Sequence, residues 1–320
     1  MAWTLAHPSR LDAKTVVELQ GAVSTLRYHR EDSMPVVRLL VSLTPLTEAI
    51  KQLLAGTQPP AVREALCTVA VHTFTFAGSL SFDLRDAPSM QQFYTDADSA
   101  AHELRDRWLA ALVLSAKSML LLHGTQEVTR ALDLAEGACA QAALGSSAII
   151  RARAHAILAE MAAAKGDGRR SERELGLAKF HVEHDQDDDP AGSFVGESRH
   201  AGLDGIRAHL HGFDGACQIR LGHWRKAEAL LCHATLGLPR SGTDRQRSII
   251  LADLALTKAK LGDHGHAAHL LGQSIAIAAR VGGTVPSRRI YEVRREFDPA
   301  QHAPLARALD EQLYAAALLR

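Results

Sequence analysis

TDRQRSIILADLALTKAKLGDHGHAAHLLGQSIAIAARV, residues 243–281, reads as two helices folded back on one another at Leu261-Gly262-Asp263. Counted from the turn glycine, Leu251, Leu254 and Ala255 on the first helix and Ala267, Leu271 and Ser274 on the second take the positions where a tetratricopeptide hairpin packs its helices together. The turn recurs along the chain. Leu84-Arg85-Asp86, His123-Gly124, Lys165-Gly166-Asp167 and Leu221-Gly222-His223 precede it, and the intervals from Arg85 through Gly124, Gly166, Gly222 and Gly262 are 39, 42, 56 and 40 residues. A helix on each side of a glycine turn, repeated about every 34–45 residues, is the pattern of stacked two-helix solenoids.

Working outward, the spacing predicts five hairpins: 61–82 with 87–103, 107–122 with 126–142, 147–165 with 169–181, 200–220 with 224–235, and 243–261 with 264–281. The polar stretch Glu183-His184-Asp185-Gln186-Asp187-Asp188-Asp189-Pro190 explains the one long interval, as a solvated loop able to close over a groove. The fourth hairpin is degenerate, with His211 and Asp214 at positions where large apolar residues are expected. Ahead of the array, 12–27 and 35–54 read as a helical pair, ended by Gly56-Thr57-Gln58-Pro59-Pro60 because paired prolines stop a helix. After it, 300–319 reads as one closing helix. The expected architecture is all-α: an N-terminal section over 1–60, a right-handed tetratricopeptide-like array over 61–285, and a capping region over 286–320 that covers the last apolar face.

Composition narrows the functional classes. Thirty-six basic and 36 acidic side chains cancel, so no global field draws the chain to nucleic acid or an anionic membrane. Aromatic residues are only 5% of the chain, and no run alternates at the period of a strand. Met1 to Pro8 lack a leader pattern, and no apolar run approaches the roughly 18 residues of a membrane helix. A cytoplasmic location is the expectation. Cys67, Cys139, Cys217 and Cys232 have no close pairing and read as small hydrophobes in a reducing compartment.

The residues also carry a resemblance. Trp3 with His7-Pro8-Ser9-Arg10-Leu11-Asp12, Leu26-Arg27 with Glu31-Asp32, Ala77-Gly78-Ser79-Leu80-Ser81-Phe82-Asp83-Leu84, Leu221-Gly222 with Ala227-Glu228, and Ser287-Arg288-Arg289 together resemble the C-terminal sensor region of actinobacterial Cro/repressor-type helix-turn-helix regulators. That resemblance spans nearly the whole chain and implies a degenerate tetratricopeptide-like sensor of transcription. The family commonly has an aromatic residue where this chain has Ser79, so an aromatic-lined pocket is not implied. Its DNA-binding domain precedes the matching region, so direct nucleic-acid binding by this polypeptide is not expected.

Helix-A positions that face the groove of a tetratricopeptide hairpin select His72, Ser79, Asp83, Ser118, Arg153, Glu160, His209, Arg220 and Lys260 as a candidate ligand-binding groove. Thr75, Phe82, Leu114, Leu121, Gly212, Ala216 and Leu256 lie among them. Such a mixture suits a small molecule or short peptide with an apolar body and a few polar handles. Arg151, Arg207 and Arg247 each lie 15 residues before a turn glycine, at the start of a first helix, where capping and packing between repeats is the expected role. The basic cluster Arg288, Arg289, Arg294 and Arg295, balanced by Glu292 and Glu296, reads as a solvated helix face. His264, His266 and His269, or His181 and His184 beside Asp185 and Asp187, lack the spacing of a zinc site, so no metal and no cofactor is expected. No nucleophile elbow, phosphate loop or carboxylate pair marks an enzyme. The expected function is a regulatory sensor with a small-molecule or peptide ligand and a protein partner, a homodimer being open. The alternative is a protein-interaction scaffold without a small ligand.

Overall fold

A computed structural model describes residues 7–31, 34–184, 189–191, 202–239 and 243–317, the side chains of residues 31 and 202–206 excepted. Among the described residues lie fourteen α-helices and no strand. An opening pair, α1 (Ala13–Glu31) and α2 (Val36–Leu54), precedes five hairpins. These are α3 (Pro60–Asp83) with α4 (Ala87–His102), α5 (Trp108–Leu120) with α6 (Val128–Ala143), α7 (Ala148–Ala164) with α8 (Gly168–Glu183), α9 (Gly202–Arg220) with α10 (Trp224–Gly237), and α11 (Asp244–Lys260) with α12 (His264–Val281). Two more helices follow, α13 (Thr284–Arg294) and α14 (Pro299–Ala315). The fold is an all-α, tetratricopeptide-like right-handed solenoid.

The repeat begins in the turns. A helix ends with carbonyls that need donors, and a residue in the left-handed region brings the next two N–H groups back to supply them. Gly166, Gly222 and Gly262 do this at φ +80, +75 and +88°. Behind them Asp167 N donates to Ala162 O, His223 N to Gln218 O and Asp263 N to Lys258 O, at 2.9–3.0 Å. Asp167 and Asp263 then accept from Arg170 N and His266 N and start the second helix. Arg85 takes the same conformation without being glycine (φ 59°). At the second hairpin the sequence placed the turn at Gly124. The helix instead widens into a π turn over Leu121–Thr125, and Gln126 takes the left-handed position (φ 60°). Measured between the residues that actually turn, the intervals are 41, 40, 56 and 40, more regular than the glycines alone indicated.

First helices pack on one another, α3 on α5, α5 on α7, α7 on α9 and α9 on α11, and so form the inner wall. Alanine makes the closeness possible: Ala152, Ala154, Ala156, Ala159, Ala162 and Ala163 of α7 are all buried. Arg151 Nη1 donates to Gly145 O at 2.7 Å and Arg247 Nη2 to Pro239 O at 2.5 Å, so these arginines do cap the chain end of the preceding helix. Asp214, the polar intrusion in the fourth hairpin, is buried yet accepts from Lys179 and Gln218, each at 3.0 Å. Of the acidic loop, residues 183–184 and 189–190 are described, and Asp189 is not solvated as expected: it is buried and accepts from Ser147 Oγ and Ile149 N at the start of α7. The expected closure over a groove falls on residues outside the description.

The chain after α12 departs from the expected single closing helix. Gly282 and Gly283, at φ +66 and +106°, turn it back toward the inner wall as α13. A Cβ on Gly283 would overlap the Arg245 guanidinium, so that position needs both the backbone freedom and the space of glycine. Ile290 and Val293 of α13 and the following Phe297 are buried against α11 and α12, each burial contributing about 1.5–3 kcal/mol. The closing helix α14 packs on α12 through Ala306, Leu309 and Leu313. At the far end α1 touches α11, and α13 touches α3, so the first and fifth hairpins meet and the solenoid closes on itself.

Two helices, Pro60–Asp83 and Trp108–Thr125, are long and apolar enough to cross a membrane by length and composition, which the sequence reading did not anticipate. In the fold, 78% and 50% of their most apolar 18-residue stretches are buried inside the protein.

If the turns set the repeat, Gly166→Ala should cost about 1–2 kcal/mol, because a Cβ there meets no atom within 4 Å and only the left-handed backbone is strained. Asp167→Ala should cost about 1 kcal/mol through the lost cap. Urea denaturation of the two variants measures both.

Candidate functional site

Two first helices, a π turn and α13 meet at one carboxylate. Glu160 Oε1 on α7 accepts from Arg220 of α9, at 3.0 Å from Nη2 and 3.3 Å from Nε. It lies 3.5 Å from Arg289 Nη2 on α13 and 3.6 Å from His123 Nε2 in the π turn. Arg289 reaches on to α11, its Nη1 3.4 Å from Asp253 Oδ1. Glu160, Asp253 and Arg289 are 2, 3 and 8% exposed, so these charges have little water to solvate them and depend on one another.

Burial alone would push the Glu160 carboxyl up, but His123, Arg220 and Arg289 outweigh it and hold it down at about 2. Burial pushes Asp253 up to about 6, with Arg289 offsetting only part of the shift. His123 is pushed down by burial to about 4 against the pull of Glu160, and is neutral at pH 7. The centre therefore holds one firmly ionised carboxylate and one that is easily protonated.

A third buried carboxylate lies where the first and fifth hairpins meet. Asp83, at the end of α3, has no exposed side-chain surface. It accepts from Arg30 Nη2 of α1 at 2.9 Å and from Thr284 N at the start of α13 at 2.9 Å, and lies 3.1 Å from Arg245 Nη1 of α11. Burial pushes its carboxyl up, and Arg245 and Arg30 more than reverse that, so it stays below the usual carboxylate range. Arg30 Nη1 also donates to Ser79 Oγ at 2.6 Å.

The structure thus brings Glu160 and Arg220 together, and separately Ser79 and Asp83. Arg153 and His209 are half-buried, two turns before Glu160 on α7 and three before Arg220 on α9, on the same helix faces. Lys260 is exposed and pairs with Glu296 just after α13, at 2.6 Å. Two expected groove residues are elsewhere. His72 is 1% exposed, lies against the Trp108 ring at 5.6 Å and is held neutral by burial; it is a core residue. Ser118 is buried between α5 and α6, donating to Ala131 O at 2.7 Å across its own hairpin. Counting from Gly124 rather than Gln126 shifted the register of that helix.

The basic cluster is also corrected. Arg289 is buried at the centre of the inner face, Arg288 donates to His123 O at 2.7 Å and to Glu292, and Arg294 forms a two-pronged pair with Asp310. Only Arg295 of the four is exposed. Asp253, Arg245 and Arg30 went unnoticed in the sequence because their partners lie far off along the chain. The adjacent pair Arg288-Arg289, close to Glu292, was the one available signal. Of the histidines, His264 stacks on His302 at 4.0 Å and His181 on His155 at 5.5 Å, and among the described residues no three His, Cys, Asp or Glu side chains form a metal-sized group. Asp185 and Asp187 lie outside the description.

Beside α13 the inner face holds a cavity of about 100 Å³, walled by His123, Arg220, Arg288, Arg289 and Glu292 with Leu122 and Val285 among the apolar residues. Several polar side chains from different elements thus converge on one small cavity in the inner face. Among solved structures the chain is similar to a Rap protein in complex with competence and sporulation factor, with a TM-score of 0.55, 13% identity, and 96% of this chain and 88% of that chain covered. At that identity the likeness is one of fold. No family model matches the sequence, and no curated protein does.

Glu160→Gln leaves Arg220 and Arg289 without their shared counter-ion and should cost about 3–5 kcal/mol near neutral pH, measured by chemical denaturation. Asp253 behaves oppositely. Its folded-state pKa lies above its ordinary value of 3.8, so its ionised form subtracts stability, increasingly as pH rises toward and through about 6. Asp253→Asn should therefore gain melting temperature relative to the wild type as pH is raised from about 4.5 to about 7.5. A difference independent of pH would mean that Asp253 is not strained.

Proposed function

We propose that this chain is a regulatory sensor that binds a short peptide or small molecule on its inner face and passes the event to transcription through a protein partner. The observation that carries the reading is the Glu160 centre. One carboxylate ties α7 to α9 and α13, and through Arg289 to α11, so a ligand beside it touches several repeats at once. In a solenoid each repeat otherwise contacts its neighbours, and a ligand that bridges several favours one curvature of the whole array. The resemblance to the sensor region of actinobacterial Cro/repressor-type regulators supports the transcriptional part. A Rap protein of similar fold solved in complex with competence and sporulation factor supports the binding part. In this reading the chain works in the cytoplasm, by binding and not by chemistry.

Native against denaturing mass spectrometry of the freshly purified chain tests it. A retained mass of a few hundred daltons, lost on denaturation and raising the melting temperature when added back, is the expected result. A bare chain stabilised only by a protein partner would replace the sensor with the scaffold. Arg153→Ala should weaken the retained ligand's binding. Arg220→Ala also strips Glu160 of a partner, so it should lower both binding and stability.

A further inference from the structure

We infer that the cavity beside α13 takes the carboxylate of a short-peptide ligand, held by Arg220, Arg288 and Arg289; this rests on the inner face being the ligand site. The wall of the cavity carries three arginines against one glutamate, Glu292. Glu160 and Asp253, which balance the buried charge, lie behind that wall and do not line it.

The arginines have donors to give. Arg220 uses Nε and Nη2 on Glu160, so its Nη1 is left over. Arg288 uses Nε on Glu292 and Nη1 on the carbonyls of His123 and Gly124, so its Nη2 is left over. Arg289 is more than nine-tenths buried, and among the described residues its Nε–H has no acceptor. A buried donor without an acceptor is costly, and an incoming acceptor removes that cost. A guanidinium presents its N–H groups in a planar fork that matches the two oxygens of a carboxylate. His123, neutral at pH 7, adds a polar edge and no further charge.

Size and charge select among anions. About 100 Å³ admits a group of a few heavy atoms, since a water molecule's share of liquid volume is about 30 Å³. Glu292 on the wall and Glu160 behind it would repel the second charge of a phosphate dianion, whereas a carboxylate brings one. The rest of a peptide would run out along the first helices past the faces that carry Arg153 and His209.

The test uses the full chain and one random pool of short peptides made twice, with free C-terminal carboxylates and as C-terminal amides lacking Asp and Glu. Native mass spectrometry should show members of the acid pool retained about tenfold more tightly than their amides. Arg288→Gln should remove that advantage, so that acids and amides are retained alike. Glu292→Gln should tighten the acids by a similar factor, and it serves as the independent check should Arg288→Gln fail to fold. Equal retention of acids and amides would overturn the carboxylate assignment while leaving the sensor reading intact. Retention of neither pool would overturn it as well, the sensor reading then standing or falling on a ligand recovered from the purified chain. Inorganic phosphate displacing the bound acids at lower concentration than acetate would transfer the site to phosphate.

Discussion

A carboxylate buried on the inner face of a solenoid has little water to solvate it, and its charge must be met by side chains that the chain itself delivers. Asp83 and Glu160 impose that requirement at two points. Each is answered by two arginines from elements far apart in sequence: Arg30 and Arg245 for Asp83, Arg220 and Arg289 for Glu160. Apolar packing between neighbouring helices would be satisfied by an open, gently curved array. The ion pairs are satisfied only when the first hairpin reaches the fifth and α13 lies against the inner wall.

The closure depends in turn on local backbone chemistry. Gly282 and Gly283 reverse the chain after α12, and without that reversal neither the Thr284 N–H nor Arg289 would arrive where the carboxylates are. Ile290, Val293 and Phe297 then anchor α13 by burial, so its placement is set by apolar contact and its register by charge. Asp253 is the member of this system left poorly matched, with one arginine at 3.4 Å and full burial. A buried charge that is imperfectly met contributes little net stability, because its desolvation cost offsets the Coulombic gain.

For the proposed sensing role, the geography of the pairs is informative. The opening pair, the first hairpin, the fifth hairpin and α13 all converge on Asp83, while the middle repeats converge on Glu160. α13 is common to both, with Thr284 at Asp83 and Arg289 at Glu160, so it is the element through which the two centres are joined.

The sequence by itself determined the all-α class, the five hairpins and their order. Those depend on interactions within about 40 residues: a left-handed glycine, an aspartate cap, and alanine and leucine at helical spacing. It also selected Glu160 and Arg220, which the structure brings into contact, because helical periodicity counted from Gly166 and Gly222 holds over a single helix. The count failed where the turn residue was not glycine, as at Gln126, which moved Ser118 out of the groove. Arg289 against Glu160 and Arg245 against Asp83 pair across 129 and 162 residues, where no local period operates. Only the tertiary structure decided that the array closes, that α13 enters its inner face and that a basic cluster in the sequence is divided between buried pairs and the surface. The physical reason is that a charge pair is recognisable in sequence only when both partners lie on one element, whereas these charges are neutralised by whichever distant residue the superhelix brings within reach.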